Sequence, residues 1–494
     1  MSETEYIVDI RNLSPEQRLA YRKFVQGQNL FITGPGGTGK TFLIKTLLEH
    51  VKSINSNFAV CAMTGCAALL LNCNARTLHS WSGIKLAKGS KDAIITSVLN
   101  NKFAVKVWKQ TKGLILDEVS MLSKKIFDII EEIARTIRKS SLPFGGMQVV
   151  FTGDFYQLPP VGTHGEPDTE KFCFESPSWH RVFKDENHIE LKTIFRQKDT
   201  TYIDILLQIR EGNLDEEKVD VLKRYIKREY DETLLNGCVP TKLFPIRSKA
   251  DYFNTMLFSK IQEKEFVFEM TTKTDLRIYL DSSKAIPTDI LKKCFAISER
   301  ESNFEIDQMK TNTPCSQILR LKKGAAVMCT VNLDMDRSIC NGSQGVVMDI
   351  LEINSIMTVI VRFSNGVIKN IVPYFWQSED YPTIAIGQYP LSLAWALTIH
   401  KIQGATLDMA EIDIGGSIFE YGQSYVALSR LRSLDGLYLS AFNPAKISAN
   451  PKVIEFYSRL KTISEFIAET ESGEDHSPMV KVEDKKDIKT IRLI

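Results

Sequence analysis

No run in this chain approaches 18 apolar residues, so nothing in it reads as a membrane span. Paired cysteines are missing as well. The nine cysteines, at positions 61, 66, 73, 173, 238, 294, 315, 329 and 340, include no C-x-x-C and are odd in number. A zinc ribbon or a disulfide framework is therefore not expected, and scattered thiols fit a reducing compartment. The opening Met1-Ser2-Glu3-Thr4-Glu5 is acidic and lacks an apolar h-region, which argues against a secretory signal or an Arg-rich transit peptide. Charge of one sign is not in excess: 62 Lys and Arg face 60 Asp and Glu, a net charge of +2, so any basic surface has to be local. No repeat of 20–50 residues is visible. These absences lead to an expectation of an intracellular, soluble protein without structural metal or membrane partner. A nucleus and a cytoplasm, including a viral replication site, suit it equally.

What is present is ordinary globular composition, 43% apolar and 25% charged, over 494 residues. That length suggests roughly three domains at about 150 residues each. Residues 34–41 read Gly34-Pro35-Gly36-Gly37-Thr38-Gly39-Lys40-Thr41, a complete G-x-x-x-x-G-K-T phosphate loop. It follows the apolar run 29–33 and precedes the helical run 42–48, the context that gives such a loop its meaning. Backbone N–H groups and a helix N-terminus favour phosphate oxygens. Lys40 would reach the β- and γ-phosphates of ATP, and the Thr41 hydroxyl would hold Mg²⁺.

Up to about residue 195, short apolar strands (29–33, 58–63, 113–116 and 147–151) alternate with helical segments. The pattern is that of a parallel sheet covered by helices, with ligands at the carboxyl ends of the strands. Leu114-Ile115-Leu116 ends in Asp117-Glu118: Asp117 would hold Mg²⁺ through water, and Glu118 would take a proton from the attacking water. Gln148-Val149-Val150-Phe151 leads to Gln157, either a turn glutamine or a side chain that senses the γ-phosphate. Ser14-Pro15-Glu16-Gln17 reads as a capped helix start, and capping alone accounts for these residues. Arg196 and Arg430 are candidate arginine fingers, although most arginines are surface or salt-bridged residues.

Residues 82–112 carry Lys85, Lys88, Lys91, Lys102, Lys106, Lys109 and Lys112 against a single Asp92, with Phe103 and Trp108 among them. Two readings stand side by side. One is a nucleic-acid contact with an aromatic for stacking; the other is a solvated helical face with a core-facing Trp. Between 318 and 373, short β-type runs separated by Asn341-Gly342 and Asn365-Gly366 suggest a small antiparallel barrel.

In their order these segments resemble the petite-integration-frequency (PIF) family of superfamily 1 helicases, related to RecD-like enzymes. The resemblance covers about residues 12–445. It is carried by Asp117-Glu118-Val119-Ser120-Met121-Leu122, Ile133-Ala134-Arg135-Thr136-Ile137-Arg138 and Pro143-Phe144-Gly145-Gly146. Further matches are Thr64-Gly65-Cys66-Ala67-Ala68, Thr77-Leu78-His79-Ser80, Phe195-Arg196-Gln197, Asn341-Gly342-Ser343-Gln344-Gly345, the run Thr398 to Thr406 and the run Tyr425 to Arg430.

The resemblance implies an α/β fold of two RecA-like parallel-sheet P-loop NTPase domains with a small β-barrel insertion in the second. The expected boundaries are 1–195 for the first domain, with 82–112 as a basic wedge insert. The second domain would comprise 196–317 and 376–462 around a barrel at 318–375, and 463–494 would be a charged, disordered tail. The implied activity is ATP-dependent 5′–3′ translocation on single-stranded DNA and unwinding at duplex junctions, in replication, recombination or repair, by a protein monomeric when free. Gln17 would contact adenine, and Arg196 and Arg430 would reach the γ-phosphate. Thr64, His79, His400 and Lys401 would lie on or near the DNA track. Ile402 stands where relatives carry a small hydroxyl residue, and Cys66 where Arg or Lys is common. The long N-terminal extension of many cellular members is absent. Alternatives are a translocase without processive unwinding and an ATP-gated nucleic-acid clamp. Glu118, Gln157 and Arg430 argue against the clamp, which needs no general base.

Overall fold

The fold is described from a computed structural model, which covers residues 10–460 apart from 72, 74, 86, 231–238, 275–291, 293, 314, 335, 338 and 379–380. The expected tail at 463–494 and the Cys66 side chain lie outside the described residues.

Six parallel strands form the first sheet: β1 (Leu30–Thr33), β2 (Phe58–Ala62), β3 (Arg76–Thr77), β4 (Gly113–Asp117), β5 (Gln148–Gly153) and β6 (His188–Glu190), in the order β3-β2-β4-β5-β1-β6. Four of them coincide with the apolar runs. β3 and β6 have two and three residues, too few to show a period, and are recruited by pairing with β2 and β1. One face of the sheet packs on helix Lys124–Arg138 through Phe127, Ile130 and Ile133. The other packs on helix Lys40–Ser53 through Leu43, Ile44 and Leu47. Strands buried on both faces read as continuous apolar runs, which is why they were legible.

The second sheet is also parallel. Its order is Ala396–Thr398, Thr241–Phe244, Ala410–Ile414, Leu437–Phe442. It has its own core, centred on Leu243, Ile412, Val426 and Leu439.

Between the first and second of these strands in sequence, Thr241–Phe244 and Ala396–Thr398, lie the antiparallel strands. Ala326–Cys329, Gln344–Ile353, Ile356–Phe363 and Ile368–Ile371 follow one another across a five-stranded sheet. The sequence pattern confines this region to 318–375, but the structure draws in more of the chain. Leu391–Leu393 pairs with Ala326–Cys329, and Ala385–Gln388 joins Tyr374–Gln377 to Thr271–Lys273. These added strands are three or four residues long and carry no turn signal of their own. The tightest hairpin uses neither Asn-Gly pair. It turns at Asn354-Ser355, with φ of 50° and 61°, a left-handed pair that asparagine tolerates better than most residues.

The basic segment forms helices Lys91–Asn100 and Lys102–Gln110 against helix Lys124–Arg138. Trp108 is fully buried. Its indole N–H donates to the Ser82 carbonyl at 3.0 Å, and its ring lies 4.4 Å from that of Trp81. Of the two readings left open for Trp108, the core-facing one holds: a hydrogen-bonded indole buries a large apolar area at no polar cost. Phe103, 60% exposed, is the aromatic left on the surface.

Candidate nucleotide and nucleic-acid site

Three adjacent strand ends deliver the groups expected to handle phosphate. β1 runs into the glycine loop, β5 into Asp154 and Gln157, and β4 ends at Asp117-Glu118. In the loop, Thr38 Oγ1 donates to the Pro35 carbonyl at 2.9 Å. Lys40 Nζ donates to the carbonyls of Gly34 and Pro35 at 2.6 and 3.0 Å. Burial pulls the Lys40 ammonium below its ordinary pKa, while Asp154, Glu118 and Asp117 oppose that shift. An ammonium held this way exchanges its carbonyl partners for anionic phosphate oxygens with a gain in charge pairing.

Asp117 accepts from Thr152 Oγ1 on β5 and, at 2.9 Å, from the Glu118 amide. Burial first, and the neighbouring Glu118 carboxylate second, push its pKa up to about 6. Two close carboxylates at a buried strand end concentrate negative charge, which a cation would offset. Among the described residues no cluster of three or more metal-ligating side chains exists. A buried carboxylate and a hydroxyl on the phosphate loop are nonetheless donor types that suit Mg²⁺, which takes most of its ligands from phosphates and water. Glu118 sits in a left-handed conformation, φ 56°, which turns its side chain out of the strand direction. Its Oε2 accepts from Gln403 Nε2 at 3.0 Å, a group supplied by the second sheet. The Oε1 atoms of Gln157 and Gln403 are buried without a partner. Buried amide oxygens left without a protein partner suit a polar ligand.

The second sheet closes over the loop. Helix Gln423–Leu428 places the Tyr425 hydroxyl 2.8 Å from the Gly36 amide, which donates to it. Arg196 donates to the Ser429 carbonyl at 2.8 Å, and its Nη1 lies 3.7 Å from where a Cβ on Gly36 would sit. Arg430 is 2% exposed. Its Nε donates to the Val426 carbonyl and its Nη2 to Ser429 Oγ, at 3.0 and 2.9 Å. Burial, then the nearby Arg430 charge, brings Arg196 down to about 10. Burial also lowers Arg430, opposed chiefly by Glu118. Two desolvated guanidiniums this close repel each other, and an anion between them relieves both. Gly422 permits the approach: a Cβ there would stand 2.5 Å from the Tyr156 carbonyl oxygen and 2.7 Å from that of Gln157.

Gln17 does two jobs. Its Oε1 accepts from the Ser14 amide at 3.0 Å, completing the expected capping box, and its Nε2 donates to the Thr38 carbonyl at 3.1 Å. The exposed ring of Phe195 lies beside it, 3.6 Å from the Cβ position of Gly39. Sequence reasoning left unassigned Gln403, Tyr425 and Ser429, although they lie in runs it had singled out. It also missed the buried Asp154–Arg210 pair, 3.0 Å, which spans the two sheets; only the neighbouring Gln157 pointed to that stretch.

The four residues expected on the DNA track divide between the sheets. Thr64 follows β2, its hydroxyl accepting from the Ala67 amide, and His79 lies in helix Leu78–Ser82 after β3. His400 and the exposed Lys401 follow strand Ala396–Thr398. Burial lowers both histidine pKa values, so near neutral pH they offer hydrogen bonds and ring faces rather than charge. Ile402 is 1% exposed and belongs to the core of the second sheet. Its bulk is explained by packing.

Residues 12–220 match the family model of the PIF1-like helicases, and residues 306–350 match the model described as the 2B domain of the DNA helicase Pif1. The chain is 35% identical over 453 residues to the ATP-dependent DNA helicase PIF1 of Xenopus laevis, covering 91% of this chain and 64% of that protein. It thus spans less than two thirds of that relative. Among solved structures, Pif1 helicase from Candida albicans is similar with a TM-score of 0.69 and 33% identity, covering 91% of this chain and 99% of that one. Bacteroides Pif1 bound to ssDNA is similar with a TM-score of 0.60 and 29% identity, covering 92% and 98%.

Proposed function

Because this chain belongs to the PIF1-like helicase family, we propose that it is an ATP-driven motor that moves 5′ to 3′ along single-stranded DNA and opens duplex at junctions. The observation that carries the reading is the seating of a phosphate loop on one RecA-like sheet against the helix that leads into Arg430 on the next, through the Gly36–Tyr425 and Arg196–Ser429 bonds. ATP would bind at this seam, with Lys40 on its phosphates and Gln17 near its base. Thr41 and Asp117 would hold Mg²⁺, which would supply charge neutralisation on the phosphates. Glu118 accepts the proton of the attacking water, and Arg196 and Arg430 stabilise the charge that builds on the transferring phosphoryl group. The relatives whose names describe helicases and a single-stranded DNA complex support DNA as the track.

Directed movement follows if the two sheets grip the strand unequally in their open and closed states. The test is a duplex with one single-stranded tail. The 5′-tailed substrate is expected to open with ATP and stay closed with a non-hydrolysable analogue. Preferential opening of the 3′-tailed substrate would remove the polarity assignment. A translocase that does not unwind would hydrolyse ATP on both and open neither.

The basic helices supply a second test. Lys102, Lys106 and Lys109 share one face of helix Lys102–Gln110, at i, i+4 and i+7. They and Lys85, Lys88 and Lys112 are exposed, and no ion pair involves any of the six among the described residues. Unpaired lysines on a rigid face are suited to phosphates. Replacing Lys102, Lys106 and Lys109 by Gln is expected to flatten the salt dependence of single-strand affinity by about 0.7 logarithmic units for each phosphate no longer neutralised, and that of duplex affinity by about 0.9. DNA-independent ATPase should not change. An unaltered salt slope would mean that the face is merely solvated.

A further inference from the structure

The chain returns to the first sheet at its end. After strand Leu437–Phe442 of the second sheet it crosses the end of helix Thr200–Glu211, so closely that a Cβ on Gly212 (φ 73°) would stand 2.4 Å from the Ala449 amide nitrogen. It then forms helix Pro451–Ser458, started by the Asn450 cap. Val453 is fully buried in the core of the first sheet, and Phe456 stacks on Phe174 at 4.5 Å. This helix is a strap across the two sheets.

Its Tyr457 reaches the nucleotide seam. The hydroxyl is hydrogen-bonded to Thr33 Oγ1, at the end of β1 just before the phosphate loop. It accepts from the Phe155 amide at 3.1 Å, at the end of β5 two residues before Gln157, and lies 3.3 Å from Asp154 Oδ1. Thr33 and Gly153 are register partners, so one hydroxyl staples the two strand ends where the loop and the Gln157 segment diverge. The ring covers the pair that joins the sheets. It stacks on Tyr156 at 4.7 Å, and the Arg210 guanidinium lies over both rings, 4.4 and 5.0 Å from their centroids, while bonding Asp154.

We propose that Tyr457 is a positioning residue for ATP hydrolysis: its hydroxyl fixes the phosphate loop and the Gln157 segment in register with the second sheet, and it never touches nucleotide. The inference rests on the proposed ATPase reading. Nucleotide binding depends mainly on the loop's own amides and Lys40. Hydrolysis depends in addition on Gln157, Glu118 and the arginines of the second sheet meeting in register. Loss of the staple therefore lowers kcat and spares KM, since small misplacements of reacting groups are costly in rate.

The experiment uses the full chain and steady-state ATPase with saturating single-stranded DNA. Tyr457→Phe keeps the ring stack and removes the hydroxyl. It is expected to lower kcat about tenfold with KM within about twofold of the parent. Thr33→Val cuts the same bond from the other side and is expected to show the same split. The double variant should lose no more than Tyr457→Phe alone, because with the hydroxyl gone the bond that Thr33→Val cuts is already absent. Val453→Ala loosens the same helix without touching the node. It should lower Tm and leave kcat and KM unchanged. An unaltered kcat in Tyr457→Phe, or an equal kcat loss in Val453→Ala, would overturn the positioning role. An unmodified chain with no DNA-stimulated ATPase would overturn the proposed function instead, so the two failures are separable.

Discussion

Replacing Lys40 by alanine is expected to lower ATP turnover by about 10²–10³-fold, the scale on which a single group aimed at developing phosphoryl charge is worth. Lys40 is the one cation on the phosphate loop, and its Nζ bonds only the loop's own carbonyls of Gly34 and Pro35. Alanine leaves those carbonyls facing the phosphates with no counter-charge, so nucleotide affinity falls together with kcat. The fold should survive. Lys40 opens a helix whose buried face, Leu43, Ile44, Leu47 and Leu48, does not depend on it. Melting temperature and ATPase on single-stranded DNA, measured together, check the prediction. Unchanged turnover in a folded variant would mean that this loop does not bind the fuel.

The legible parts of the chain were those whose signal is local. A glycine loop between an apolar strand and a helix announces itself within a dozen residues. So does the capping box, since Ser14 and Gln17 are three residues apart and both bonds form. The four long strands of the first sheet were visible because burial on both faces makes them uniformly apolar. What was hidden depends on partners far along the chain. β3 and β6 are strands only because β2 and β1 stand beside them. Leu391–Leu393 is too short to show alternation and is defined by Ala326–Cys329. Trp108 reads equally well as a stacking ring or as core, and only the Ser82 carbonyl and the Trp81 ring decide it. In the site, the side chains that bridge the sheets, Gln403 to Glu118 and Arg210 to Asp154, have common residue types at unremarkable spacing. Their significance comes from contact across the seam, which no periodicity encodes.

That seam explains why a chemically conservative change at Glu118 should trap the protein rather than merely weaken it. Glu118→Gln keeps the size and the left-handed backbone of the residue but removes the carboxylate proposed to accept a proton from water. Removal of a general base costs about 10²–10⁴-fold in rate, so hydrolysis is expected to slow by that order. The contact to the second sheet should persist. Gln403 Nε2 still has an oxygen to donate to, and its Oε1, buried without a partner, gains the new amide as a donor. Loss of the charge also removes the second-largest cause of the raised Asp117 pKa, so Asp117 should be more fully ionised near neutral pH and better able to hold the proposed Mg²⁺. ATP affinity is therefore expected to equal or exceed that of the parent while turnover collapses. Equilibrium binding of ATP and single-turnover hydrolysis separate these two effects. If Glu118→Gln fails to bind ATP, the carboxylate is structural and the base lies elsewhere. If it hydrolyses at the parental rate, the water is activated without Glu118.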